Sequence, residues 1–250
     1  QVEMDGVWSV AGGMHQVPRA LAKLGEQSGV TARYNQHCEE IKMHGGRVSG
    51  VQLRSGEVVE ADHVIFNGDV GALADGFLGQ AFSAYFPARV RAQRSLSAVT
   101  LSMHARTSGF PLVRHNVFFN RDYKREFDDI FSRHQLPAQG TVYVCAQDRS
   151  DDGLPHSNLE KLLCLVNAPA NGDRPPPNES EIHEWELNAL AMMRRCGLEV
   201  EADPHQVVRT LPQDFAQLFP GSAGALYGQA THGWLSAFAR PSARSKVAGL

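Results

Sequence analysis

The sequence predicts an α/β fold of the mixed (α+β) kind, and three observations support it. Residues 12–70 run from a glycine pair through an amphipathic segment into several short segments rich in β-branched residues. Bulky side chains alternate with small or polar ones between residues 96 and 107, as in a half-buried strand. Farther along, the capping-box pattern Asn178-x-x-Glu181 opens a segment of helical periodicity. A composition of 42% hydrophobic and 20% charged residues is that of an ordinary globular protein.

The first block, residues 12–70, should contain one helix and a run of strands. Gly12 and Gly13 permit backbone conformations that a β-carbon would disfavour. The helix after them has one apolar face and should end near Gly29. Strands are expected at 30–34, 38–43, 48–53, 58–59 and 64–66. Val64–Phe66 is uninterrupted by polar residues, so it should be a strand buried on both faces.

Residues 71–210 should form a second unit, a mixed sheet with helices on one face. Asp69 and Asp122 are each expected to cap a helix. The helix that follows Asn178 should end at Gly197. Its buried residues are predicted to be Ile182, Trp185, Ala189 and Met193. The strands of this sheet are expected at 96–107, 115–119, 141–146 and 162–166.

Charge and cysteine content narrow the class of protein. A net charge of −3 gives no support for nucleic-acid binding. The four cysteines show no C-x-x-C spacing, which argues against zinc and a disulfide framework and fits a reduced, cytoplasmic setting. The longest apolar runs are well below the ~18–20 residues of a membrane span. Basic residues cluster at 89–94 and 240–246, as a solvated helix face or as a contact for an anionic membrane surface.

Three catalytic or metal-binding patterns are present only in part. The His-Glu pair at 183–184 lacks the second histidine of the metalloprotease motif. The segment 221–224 is one residue short of a hydrolase nucleophile elbow. A calcium-loop pattern that starts at Asp148 has Leu159 where a bidentate glutamate is needed. The sequence therefore predicts no metal site, and it does not indicate a catalytic base.

The order of motifs in the first block resembles the flavin amine oxidase superfamily. There, a GGM start, a helix, a V-x-x-I strand, a G-V-x-L-x-x-G hairpin and an A-D-x-V-V-x-N-x-D strand follow one another. This chain has Gly12-Gly13-Met14, then Cys38-Glu39-Glu40-Ile41, and finally the segment 61–69. The segments 219–228, 231–234 and 238–241 resemble the C-terminal signature of bacterial carotenoid desaturases. Two further segments, 115–130 and 141–149, resemble the hydroxyneurosporene (methoxyneurosporene) desaturase branch.

The resemblance implies FAD as the cofactor and two groups of site residues. In the family, the first residue of the V-x-x-I strand meets the adenine through its backbone, and Cys38 matches it. The residues implied in cofactor binding are Gly12, Gly13, Cys38, Asn67, Gly68 and Asp69. Those implied near the substrate or the flavin ring are Gly224, Tyr227, Gly228, His232 and Trp234.

The resemblance also implies a division of the chain. Residues 1–70 and 211–250 match parts of a FAD-binding domain, and 71–210 match a substrate-binding domain. We therefore expect 12–69 and 211–250 to pack together. The family's G-x-G-x-x-G fingerprint is absent from this sequence, and a further glycine-rich flavin segment would follow residue 250. We accordingly expect a partial chain that is inactive alone and does not hold FAD tightly.

The implied reaction removes two hydrogens from a C–C bond beside a polyene, at the 3,4 position of a 1-hydroxy or 1-methoxy carotenoid. Because the substrate is lipid-borne, the enzyme should lie peripherally on a membrane from the cytoplasmic side. Phe110, Phe118, Phe119 and Tyr143 are expected to line an apolar tunnel. Two alternatives stay open. One is a flavin oxidase of amines or porphyrinogens, and the other is a non-catalytic domain that binds an apolar ligand or a partner.

Overall fold

The computed structural model describes residues 4, 6, 8, 10–86, 94–149, 157–230 and 243–250, which form two sheets and several helices. The first sheet has three strands in the order β1 (Cys38–His44), β2 (Arg47–Leu53) and β3 (Val58–Glu60). The second contains β4 (Ser97–Gly109), β5 (His115–Phe118), β6 (Val142–Ala146), β7 (Glu160–Ala168) and β8 (Leu198–Thr210). The described helices are α1 (Gln16–Gln27), α2 (Val70–Ala74), α3 (Tyr123–Phe131), α4 (Glu179–Arg195) and α5 (Pro212–Leu218), with a 3₁₀ helix at Gln80–Tyr85. The predicted α/β class is confirmed.

The five-stranded sheet has the order β5-β6-β7-β4-β8, with the long β4 between β7 and β8. The alternation predicted for β4 is confirmed, since Val99, Leu101 and Met103 are buried while Ser102 and His104 are exposed. Every strand pair among the described residues is antiparallel, so the expectation of a mixed sheet was wrong. Helix α4 carries the chain from β7 to the other side of β4. Strands β7 and β8 therefore run parallel to each other but do not pair, because each pairs with a different edge of β4.

Helix α4 packs against this sheet through the residues that the sequence indicated. The Asn178 side chain accepts a hydrogen bond from the Glu181 N–H at 2.9 Å. In return, the Glu181 carboxylate accepts one from the Asn178 N–H at 2.9 Å, so the predicted capping box is formed. Ile182, Trp185, Ala189 and Met193 are all buried. Local sequence signals therefore fixed both the start and the buried face of this helix.

Two predicted strands do not form, and one strand was not predicted. Residues 30–34 and 64–66 are not strands, and the Ile65 side chain is 94% exposed. An isolated apolar run lacks the neighbouring strand that would bury it, and no strand in the described ranges pairs with 64–66. Helix α1 forms as expected, yet its apolar side chains Leu21 and Leu24 are 62% and 58% exposed. Strand β8 was not predicted at all.

The C-terminal segment packs against the three-stranded sheet. The Val48 N–H donates to the Ala248 carbonyl at 2.9 Å, and the Val64 N–H donates to the Gly249 carbonyl at 2.8 Å. Val247 joins a core cluster with Ile41, Val48, Leu73 and Phe82. The predicted packing of 12–69 against 211–250 is thus confirmed where both segments are described. Among the residues that the structure describes, no helix combines the length and the apolar character that a membrane span requires.

Candidate functional site

A cavity of about 460 Å³ lies where four distant parts of the chain meet. One wall comes from residues 64–70, which follow the three-stranded sheet, and another comes from the loop at 221–229. Arg94 and the segment 243–250 complete it. Most of the lining is apolar, including Phe66, Leu73, Phe86 and Leu250, as expected for a site that binds a largely apolar molecule.

Two glycines bring the first two walls together. Asp69 caps α2, and its Oδ1 accepts a hydrogen bond from the Gly71 N–H at 2.7 Å. A β-carbon on Gly71 would lie only 2.5 Å from the Gly221 carbonyl oxygen. One on Gly221, whose φ is +86°, would overlap the backbone nitrogen of Ala72. The close approach of 69–72 to 221 therefore requires glycine on both sides.

The loop at 221–229 is also fastened to the segment that leads into β4. The Ser95 N–H donates to the Gly228 carbonyl at 2.8 Å, and the Tyr227 N–H donates to the Ser95 hydroxyl at 3.0 Å. These bonds hold Tyr227 and Gly228 at the cavity wall beside Arg94. The Arg94 guanidinium donates to the Asp173 carboxylate at 2.7 Å. This wall is thus built from the loop at 221–229 and the segment that leads into β4, and the Arg94 guanidinium gives it one fixed positive charge.

A second cavity of about 400 Å³ adjoins the first, because Gly68 and Asp69 line both. Cys38, at the start of β1, lines this second cavity together with mostly apolar side chains. Burial raises the pKa of the Cys38 thiol above its usual value. The thiol is therefore protonated at neutral pH and packs as a small apolar group.

The structure places five residues implied by the family resemblance at these cavities: Cys38, Gly68, Asp69, Tyr227 and Gly228. Others lie elsewhere. Gly12 and Gly13 form an exposed turn before α1, with φ of +78° and +87°, and Asn67 is exposed outside both linings. His232 and Trp234 fall outside the described residues.

Gly224 is buried but does not line either cavity. Its φ is +81°, and a β-carbon there would overlap the carbonyl oxygen of Pro212 at the start of α5. The structure therefore explains this glycine by backbone packing between the loop and α5. The expected proximity of Gly224 to the substrate or the flavin stays a prediction.

The four residues expected along a tunnel do not line these cavities. Phe118 is 3% exposed in the core of the large sheet, and the Phe110 ring lies 5.2 Å from it, centroid to centroid. Phe119 is 65% exposed. The Tyr143 hydroxyl lies 2.7 Å from His115 Nδ1, on the sheet face away from the core. The predicted tunnel wall is therefore not found in the described part of the chain.

Two further residues that line the larger cavity, Arg94 and Ser222, were not predicted as site residues. The Ser222 hydroxyl donates to the Phe219 carbonyl at 2.6 Å and accepts from the Gly224 N–H at 3.0 Å, so it stabilises the loop. In the described residues, no group of three or more His, Cys, Asp or Glu side chains is placed to hold a metal ion.

The comparisons with known proteins identify the family of the chain. The family model described as flavin containing amine oxidoreductase matches residues 1–250, and the chain belongs to that family. The predicted membership of the flavin amine oxidase superfamily is thereby confirmed. Within the family, the chain is 55% identical to the hydroxyneurosporene desaturase of Rubrivivax gelatinosus, over 100% of this chain and 48% of that protein.

Two further relatives carry related names. The chain is 41% identical to a hydroxyneurosporene desaturase of Cereibacter sphaeroides, over 99% of this chain and 49% of the relative. It is 28% identical to a 1-hydroxycarotenoid 3,4-desaturase of a Flavobacterium species, over 98% of this chain and 49% of the relative. The chain spans about half the length of these curated relatives.

Proposed function

We propose that the complete protein is a FAD-dependent carotenoid desaturase. It would remove two hydrogens from a C–C bond next to a polyene, at the 3,4 position of a 1-hydroxy or 1-methoxy carotenoid. The observation that carries this proposal is 55% identity, over the whole chain, to a hydroxyneurosporene desaturase. The similarity to a 1-hydroxycarotenoid 3,4-desaturase supports the position of the new double bond.

In this proposal, the two cavities bind different parts of the cofactor and the substrate. Cys38 and Gly68 would hold the adenine end of the cofactor, and Tyr227 with Gly228 would lie against its ring system or the substrate. Bound FAD supplies the hydride acceptor, and the second hydrogen leaves as a proton to water or a base. The apolar walls exclude water and match a polyene, which has no charged group to recognise. In this proposal 1–70 and 211–250 serve the cofactor, and 71–210 serve the substrate.

We also infer that the protein works at a membrane surface on the cytoplasmic side. A row of aromatic rings, Phe119, Tyr123, Phe127 and Phe131, follows α3 with successive centroid distances of 6.3, 4.8 and 6.0 Å. Phe119 and Tyr123 are 65% and 50% exposed. Exposed aromatic side chains are favoured at the boundary between lipid and water, which supports this surface as the membrane contact.

The membrane contact can be tested by sedimentation with phospholipid vesicles. A double variant, Phe119→Ser with Tyr123→Ser, should lower the bound fraction of the complete protein several-fold, because it removes apolar area from the contact. The matched control is Leu187→Ser, since Leu187 is 52% exposed on α4, outside the aromatic row. Equal binding of the double variant and the control would contradict the inference.

The desaturase proposal is tested by expressing the complete reading frame in a host that accumulates a 1-hydroxy carotenoid. The product should be lighter by two hydrogen atoms and should absorb at longer wavelength, because the conjugated system is extended. Oxidation of an amine or a porphyrinogen by the purified protein, with the carotenoid unchanged, would instead support the other flavin oxidases. An upstream reading frame without a G-x-G-x-x-G fingerprint would favour a non-catalytic binding domain.

A further inference from the structure

The larger cavity contains a positively charged side chain, which a purely apolar ligand would not need. Arg94 is the only cationic side chain among the described residues that line it. It is anchored, since its backbone pairs with Gln229 and its guanidinium is held by Asp173 at 2.7 Å. Only 25% of the side chain is exposed. The Asp173 carboxylate offsets the cost of this partly buried charge and fixes the guanidinium at the wall of a cavity that Phe66 and Leu73 also line.

The ion pair leaves most of this guanidinium uncommitted. Arginine has five N–H donors, and among the hydrogen bonds between described residues Arg94 uses only its NH1 nitrogen, toward Asp173. The neighbouring hydroxyls are engaged, because Ser222 and Ser245 both donate to backbone carbonyls. Arg94 is therefore the strongest donor in the cavity that remains available to a ligand oxygen.

The proposed substrate has one such oxygen, close to the reacting bond. A hydroxyl or methoxy oxygen on C1 is separated from the C3–C4 bond by two carbon–carbon bonds, a distance of ~3–5 Å. A polar group that binds this oxygen must therefore be part of the cavity where the reaction takes place. The volume of about 460 Å³ is suited to one end of a long polyene, not to the whole molecule.

We infer that Arg94, positioned by Asp173, donates a hydrogen bond to the C1 oxygen of the carotenoid and thereby selects oxygenated over purely hydrocarbon substrates. This inference rests on the proposed function. A hydroxyl and a methoxy oxygen both accept hydrogen bonds, so one guanidinium would serve either substrate. Arg94 is a specificity-determining residue in this account, and Asp173 is a positioning residue.

The test compares two substrates in the complete, FAD-loaded enzyme: a 1-hydroxy carotenoid and the same carotenoid without the hydroxyl. Arg94→Met should lower kcat/KM for the hydroxy carotenoid about 10- to 100-fold, the usual range for losing a charged hydrogen bond. For the hydrocarbon it should change kcat/KM little. Arg94→Lys should retain part of the preference, and Asp173→Asn should weaken it. The control Arg194→Met removes an exposed arginine paired with Glu199 at 2.9 Å and should affect neither substrate.

The ratio of the two kcat/KM values decides the inference, since a structural role would lower both together. An equal fall for both substrates in Arg94→Met, with or without loss of bound FAD, would overturn it and assign Arg94 to the flavin or to the fold. In that case the wild-type enzyme would still desaturate the carotenoid, and the proposed function would stand. If the wild-type enzyme desaturates neither substrate, both proposals are overturned.

Discussion

The contact between Gly71 and Gly221 gives the sharpest prediction about how the cavity is built. Gly221→Ala has two costs: the left-handed φ of +86° and the overlap of the new β-carbon with the backbone of Ala72. Gly228→Ala has only the first, because φ is +67° and no atom lies within 4 Å of its β-carbon position. The left-handed conformation costs a non-glycine residue ~1–2 kcal/mol, and overpacking adds ~1–3 kcal/mol.

The expected losses in unfolding free energy are therefore ~1–2 kcal/mol for Gly228→Ala and ~2–5 kcal/mol for Gly221→Ala. Urea unfolding of each variant, followed by circular dichroism, measures both losses. The comparison requires that the slope of the unfolding free energy against urea concentration is the same in each variant. Because both variants have nearly the same backbone cost, their difference isolates the contact. Equal losses in the two variants would refute the steric explanation of the site.

Three further changes test the packing of the molecule. Glu160 accepts hydrogen bonds from Arg149 at 2.6 and 2.8 Å, which lowers the pKa of its carboxyl, so this stabilisation is present at neutral pH and is lost as the pH falls through that lowered pKa. Glu160→Gln should lower the unfolding free energy by ~3–5 kcal/mol at neutral pH. It should also make the unfolding free energy fall less steeply as the pH is lowered, as measured by urea unfolding at several pH values. Asn178→Ala should cost ~1 kcal/mol in the same assay, because it removes the cap of α4. Phe82→Ala should cost ~3–5 kcal/mol, since Phe82 is fully buried, whereas Phe119→Ala at a 65% exposed position should cost far less.

The sequence was informative wherever the signal was local. Asn178 and Asp69 cap their helices as predicted, because a cap depends only on the next few residues. The alternation along β4 predicted its buried face for the same reason. The failure at Val64–Phe66 has the opposite cause, since the burial of a strand depends on neighbours that its own sequence does not specify.

Strand β8 was not predicted because its alternation of apolar and polar residues is interrupted. Pro204 lies within the strand, and the register against β4 shifts where Met103 pairs with Val207 and Ala105 with Ala202. Residues 203–206 thus bulge from the ladder, where a proline is tolerated. A period-two pattern with a bulge in the middle is hard to see in a single sequence.

Of the candidate site, the family resemblance indicated five residues that line the cavities. Arg94 lines the larger cavity, and Gly71 packs against its wall at Gly221. Both positions depend on contacts that span long stretches of chain: Arg94 with Asp173, and Gly71 with Gly221. Such contacts are set by how the two sheets and the C-terminal segment come together. No local pattern in the sequence encodes them.

The central claim is that the complete protein passes hydrogens from a carotenoid to its flavin. It is tested most directly by mixing the FAD-loaded protein with a 1-hydroxy carotenoid in the absence of oxygen and following the absorbance of oxidised flavin. We expect the flavin band to bleach in a single turnover as the carotenoid spectrum shifts to longer wavelength. A flavin that is bleached by an amine or a porphyrinogen, and stays oxidised with the carotenoid, would contradict the account.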